Sequence, residues 1–326
     1  MSVYPCFSMT DEASFQELAL QVFREQSQHV QVYREYLDAI KVNPLTVSRW
    51  EDIPYLPIDF FRTREVIKDG LNAKVIFQSS GSTSAQSSTH FVADTQIYVE
   101  SFKRGFEMRY GNIAEYALLA LLPSYLQKGD SSLVYMTDHL IKASKNSFSG
   151  FYLDDYISLS KALNTLKDHR HKTILLGVSY ALLDLAEQFP MQFPELIIME
   201  TGGMKGRRKE LVKEELHAIL KTGFGVDHIH SEYGMTELLS QAYSSGEGIY
   251  HCPPWMKVRI REMNDPFHFV DPGKTGGVCI TDLANTNSCA FIASQDLGRL
   301  NSNESFEILG RFDASEARGC NLLVDF

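Results

Sequence analysis

The sequence predicts an α/β protein: a parallel sheet covered by helices on both faces, followed by a smaller β-rich region. Two observations carry that expectation. From Lys74 onward, short unbroken apolar runs alternate with helical stretches, the pattern of strands buried on both faces. After about Tyr250, short strand candidates are joined by turn signals instead of helices. The 326 residues, 44% of them hydrophobic, suffice for a well-buried core and two subdomains.

Along the chain, residues 1–73 read as a helical region packed on the core. Thr10 is the expected cap of a first helix, with Asp11 and Glu12 in its first turn. Phe15, Leu18, Ala19, Val22 and Phe23 then recur at helical spacing. Residues 74–249 form the expected α/β body. Its strands are Val75 to Phe77, read as buried, Ala117 to Leu122, Thr173 to Val178 and Leu196 to Met199, with a helix from Tyr180 to Phe189. Residues 250–310 form the β-rich subdomain, with strands at 256–261, 277–281, 290–294 and 305–309. Turns at Asp265-Pro266 and Asp271-Pro272-Gly273 punctuate them. Residues 311–326 form a tail.

Lys and Arg number 31 against 41 Asp and Glu, a net charge of −10, which gives no electrostatic footprint for nucleic acid or an anionic membrane. The basic run Lys205 to Lys209 reads as a solvated helix start. No secretion signal or bilayer-length apolar run is visible, and the five scattered cysteines lack metal or disulfide spacing. The expected compartment is the reducing cytoplasm.

Four segments carry chemistry. Gln78-Ser79-Ser80-Gly81-Ser82-Thr83-Ser84 is a hydroxyl-rich loop whose glycine admits close backbone approach, suited to phosphate oxygens. It lacks the lysine of a Walker loop. Gly273-Lys274-Thr275 has the tripeptide but not the upstream glycine, where His268 stands. Ser231-Glu232-Tyr233-Gly234-Met235-Thr236-Glu237 offers a carboxylate for a hard cation, a hydroxyl for phosphate and a ring for stacking. Gln295-Asp296-Leu297-Gly298-Arg299 offers an aspartate able to accept from both hydroxyls of a ribose, and Gly310-Arg311-Phe312-Asp313 follows at another strand end.

In this order and spacing the four segments resemble the adenylate-forming superfamily of acyl-CoA synthetases, peptide-synthetase adenylation domains and luciferases. Tyr-Gly-Met-Thr-Glu is the most specific match. Thr201-Gly202-Gly203 resembles the family's adenine-side turn, and the resemblance runs from Lys74 to the C-terminus. It implies an adenylate-forming core that uses ATP and Mg²⁺ to convert a carboxylic acid to an acyl-AMP. By the same resemblance, Ser79, Ser80, Gly81, Ser82 and Thr83 surround the phosphates, and Gly202, Gly203, Tyr233 and Gly234 hold the base. Asp296 holds the ribose, Glu237 the metal, and Thr236 and Arg311 act in catalysis.

Two departures stand out. The phosphate loop has no lysine, and the chain stops at Phe326, where larger members continue into a swivelling domain with a catalytic lysine. The ending Glu316 to Leu323 is similar to that of LuxE-like acyl-protein synthetases. That similarity implies fatty-acid activation, transfer to Cys320 as a thioester, and delivery to a partner reductase or carrier. A ligase acting on coenzyme A or a carrier thiol and a non-catalytic adenylate-binding subunit are alternatives. So is a hydrolase-like acyltransferase, because Gly177-Val178-Ser179-Tyr180-Ala181 sits where a nucleophile elbow would. His228 and His230 share a strand face but lack a third ligand, and Gly223-Phe224-Gly225 lacks the third glycine of a dinucleotide loop.

Overall fold

The computed structural model describes residues 3–79, 87–123, 130–202 and 211–311. The chain divides into two compact units. One runs from Ala73 to Pro253; the other combines the segment up to Asn72 with the segment from Pro254 onward.

The first unit is the α/β body. A hairpin of β2 (Val75–Gln78) and β3 (Thr89–Val92) precedes α4 (Thr95–Tyr110) and β4 (Ala117–Leu121). Then come α5 (Ser132–Ser144), β5 (Gly150–Phe151), α6 (Tyr156–Asp168), β6 (Thr173–Val178) and α7 (Ser179–Gln188). They are followed by β7 (Ile197–Thr201), α8 (Lys213–Phe224), β8 (Ile229–Tyr233), β9 (Ala242–Ser244) and β10 (Ile249–His251). Strands β5, β4, β6, β7 and β8 pair in that order and all run parallel, while β9 and β10 extend the sheet antiparallel.

Every residue of β4 and of β6 is buried, as expected of central strands covered on both faces. Leu175, Leu182, Leu183, Leu185, Leu216, Leu220 and Phe224 belong to one core that joins β6 to α7 and α8. Each such side chain contributes roughly 1.5–3 kcal/mol on burial, which is why these unbroken apolar runs form the centre of the sheet. The strands expected near 117, 173 and 196 are all present. Val75 to Phe77 differs. It belongs to the separate two-stranded ribbon, and only Phe77 of β2 is buried, between Tyr98 and Tyr135.

The second unit contains α1 (Glu12–His29), α2 (Gln31–Ala39), β1 (Leu56–Pro57) and α3 (Phe60–Thr63), followed by β11 (Met256–Arg261), β12 (Thr275–Asp282), β13 (Phe291–Leu300) and β14 (Phe306–Arg311). Strands β11 to β14 form an antiparallel meander, and β1 lies parallel against β13. The cap of α1 is Asp11, not Thr10: its carboxylate accepts from Ser14 N at 2.9 Å, and Ser14 Oγ returns to the Asp11 amide. Phe23 and Tyr33 pack on Phe291 of β13. Buried Gln26 accepts from Ala290 N and donates to Asn285 O, fixing α1 to the turn before β13. Among the described residues no helix is long and apolar enough to cross a membrane.

Candidate active site

In open α/β sheets ligands gather outside the carboxyl ends of the strands. Two of the expected segments lie there. Strand β7 ends at Thr201, and Gly202 follows at φ +67°, a left-handed conformation that favours glycine. Neighbouring β8 ends at Tyr233, whose ring meets Tyr250 edge-on, with Gly234, Thr236 and buried Glu237 following. A Cβ on Gly234 would stand 2.5 Å from Glu232 Oε1, so this turn admits no side chain without displacing that carboxyl group.

A third segment is tied to the second. Ser79 directly follows β2; its amide donates to Ser88 O and its hydroxyl accepts from Ser88 N, both at 2.9 Å. Ser88 leads into β3, where buried His90 donates from Nδ1 to the Thr236 carbonyl at 2.9 Å. The hairpin that brackets the Ser/Gly loop is thereby anchored to the Thr-Glu segment. Ser80, Gly81, Ser82, Thr83 and Gly203 lie outside the described residues, as does Cys320.

On the second unit, Asp296 and Arg311 are register partners of β13 and β14, with Arg311 Nε 3.6 Å from Asp296 Oδ1. The aspartate is nearly buried and its amide donates to Ser294 Oγ; the arginine is exposed.

Beneath the β7 and β8 ends lies a buried polar network that sequence reasoning missed. Glu200 of β7 accepts from Ser231 Oγ at 2.8 Å, pairs with Lys213 Nζ at 3.1 Å, and lies 3.7 Å from His217 Nε2. Burial would raise its pKa, but the charge of Lys213, helped by His217 and Ser231, prevails and pulls it to about 2. Glu232, one strand over, accepts from the Thr201 hydroxyl at 2.6 Å. Burial dominates there, and with the nearby Glu200 charge it pushes Glu232 up to about 7. Two carboxyls of one network are thus driven apart, one firmly ionised and one poised near neutrality. The available signal was a glutamate closing the apolar run Leu196-Ile197-Ile198-Met199; its partners lie too far along the chain for spacing to show.

The network also accounts for Ser179. Its hydroxyl lies 3.0 Å from the Gly202 carbonyl and 3.3 Å from Glu200 Oε2, bracing the β7 turn from the start of α7. Its φ is not positive, as the strained elbow of a hydrolase requires, and no histidine bonds to it among the described residues. His230 is occupied by the Tyr110 hydroxyl at 3.2 Å, and burial lowers its pKa to about 4. Among the described residues no group of three His, Cys, Asp or Glu side chains forms a metal cage.

No family model matches the sequence, and no curated protein does. Solved structures resemble the fold. An ATP-bound chimera of RpMatB and BxBclM matches at 16% identity and TM-score 0.58, over 75% of this chain and 49% of its own. ATP-bound MatB from Rhodopseudomonas palustris matches at 17% and 0.55 over the same shares. An open conformation of 2-hydroxyisobutyryl-CoA ligase, in complex with 2-HIB-AMP and CoA, matches at 13% and 0.70, over 93% of this chain and 70% of its own. The chain spans about half the length of the first two. At these identities the likeness is one of architecture: the chain shares the α/β fold of these ligases, with a β-rich C-terminal region.

Proposed function

We propose that the chain is an ATP-dependent ligase that activates a carboxylic acid as an acyl-AMP and passes the acyl group to a protein thiol. The observation that carries this reading is the convergence at one end of the parallel sheet. The Gly202 turn and the Tyr233–Glu237 segment close adjacent strands, and His90 anchors the Ser/Gly hairpin to Thr236. Hydroxyls, backbone amides and a buried carboxylate at that end support the reading, on a fold like that of the structures solved with ATP and with 2-HIB-AMP.

In this reading, Ser79 and its loop hold the phosphates, Tyr233 and Gly202 hold the base, and Asp296 holds the ribose. Glu237 holds Mg²⁺, which neutralises phosphate charge when bound. Thr236 and Arg311 stabilise the charge that develops as the carboxylate attacks the α-phosphorus and pyrophosphate leaves. Cys320 then attacks the acyl carbonyl as a thiolate, forming a thioester and releasing AMP. A fatty acid is the substrate implied by the resemblance of the tail to LuxE-like enzymes, and an acyl reductase or carrier is the implied recipient. The ligase solved with CoA favours one second reading, a ligase with an external thiol acceptor.

Intact-protein mass spectrometry after incubation with Mg-ATP and a panel of acids separates the two. The wild-type protein should gain an acyl mass that hydroxylamine removes. Cys320→Ser should still form acyl-AMP but gain no thioester. An acyl mass that persists on Cys320→Ser, or acyl-CoA formed without any acylated protein, overturns the role of the cysteine.

A further inference from the structure

The amino ends of β4, β6 and β7 lie at the opposite edge of the sheet from the segments above. A cavity of about 240 Å³ opens there, lined by Tyr116, Arg170, His171, Lys172, Thr173, Glu195 and Ile197. Most of its polar groups are already committed. Lys172 Nζ pairs with Glu115 at 2.6 Å and lies over the Tyr116 ring. His171 donates from Nδ1 to the Lys172 carbonyl at 2.9 Å, and its Nε2 accepts from Asn146 at 3.0 Å, so the ring is held as a wall. The Thr173 hydroxyl donates to the His171 carbonyl.

Two lining groups, both on exposed residues, have no hydrogen-bond or ion-pair partner among the described residues: the guanidinium of Arg170 and the carboxylate of Glu195. They carry opposite charges on one cavity that buried Tyr116 and half-buried Ile197 also line. A ligand that pairs with both in place of water carries an anion and a cation, with an apolar body against Tyr116 and Ile197. The volume falls below the roughly 300–1,000 Å³ of sites for drug-sized ligands, which leaves a molecule of amino-acid size.

We propose that this cavity binds a free α-amino acid with a small apolar side chain. Its carboxylate meets Arg170, its ammonium meets Glu195, and its side chain packs on Tyr116 and Ile197. This inference does not rest on the adenylation reading, because none of these residues belongs to the segments assigned above.

Isothermal titration with L-leucine, 4-methylpentanoate and 3-methylbutylamine tests it, since each analogue lacks one of leucine's two charges. Leucine should bind, and each analogue should bind about fivefold or more weakly, the loss of one partly exposed ion pair. Arg170 sits just past α6 at φ +52°, so Arg170→Gly removes the cation while relaxing the backbone. That variant should bind leucine no better than the amine, and Glu195→Gln should bind leucine no better than 4-methylpentanoate. No heat with leucine, equal binding of leucine and either analogue by the wild type, or undiminished leucine binding by Arg170→Gly overturns the proposal.

Discussion

At the scale of residues, the most consequential pair is Glu200 and Glu232. Their carboxyls sit on adjacent strands, yet one is held at about 2 and the other at about 7. The difference is one of partners among the described residues: Glu200 has an ammonium, while Glu232 has a hydroxyl donor and no cation. The signs for stability follow. The raised pKa of Glu232 means that the folded state binds its proton more tightly, so stability is lost as pH rises from about 4.5 through about 7. The depressed pKa of Glu200 acts oppositely, and its contribution is lost as pH falls from about 4.5 toward 2. Glu232→Gln keeps an acceptor for Thr201 and removes the buried titration. It should therefore be more stable than wild type at pH 8 by about 1–3 kcal/mol, with the advantage vanishing near pH 4.5. Urea unfolding of both proteins across that range checks it; an advantage independent of pH would show that Glu232 does not titrate there. None of this network was legible in the sequence, because Glu200, Lys213, Ser231 and Glu232 meet only after β7, β8 and α8 pack together. The segment Tyr233 to Glu237 stood out in the sequence because its residues are contiguous, so that no packing is needed to bring them together.

At the scale of elements, the strands most easily read were those whose burial leaves no ambiguity. The reading of Thr173 to Val178 matches β6 residue for residue, since an unbroken apolar run between polar ends has few other homes. The hairpin of β2 and β3 was harder. Only Phe77 of β2 is buried, so its pattern resembles neither a core strand nor a clean alternation. Strand β13 was also under-read, because its second half turns polar after Ser294 while remaining paired to β12 and β14. The hairpin matters because His90 joins it to the Thr236 backbone. His90→Ala removes a buried donor and leaves the Thr236 carbonyl without it, a loss of about 1–3 kcal/mol. Since that bond positions the proposed phosphate loop against the Thr-Glu segment, the same amount should appear as a roughly tenfold to hundredfold fall in kcat/KM for ATP. Kinetics at varied ATP and fixed acid would show it. A variant that melts earlier yet keeps its kcat/KM would make the bond structural only.

At the scale of the whole molecule, the fold class was legible in full: an α/β body with a parallel centre, then an antiparallel β-rich region. What the sequence did not show is that the first helices and the last strands form one compact unit, its two segments flanking the other unit in the sequence. That grouping depends on pairings such as β1 with β13, more than two hundred residues apart, which no local pattern announces. The proposed roles fall on both units, with Glu237 on one and Asp296 on the other. The measurement that tests the central claim most directly is acid-dependent exchange of labelled pyrophosphate into ATP. The account predicts exchange by the wild type with some carboxylic acid and exchange preserved in Cys320→Ser. It predicts a loss on the order of a thousandfold in both Glu237→Ala and Asp296→Ala while the circular dichroism stays unchanged. Exchange at wild-type rates in either carboxylate variant, or no exchange with any acid by a folded wild-type protein, would contradict it.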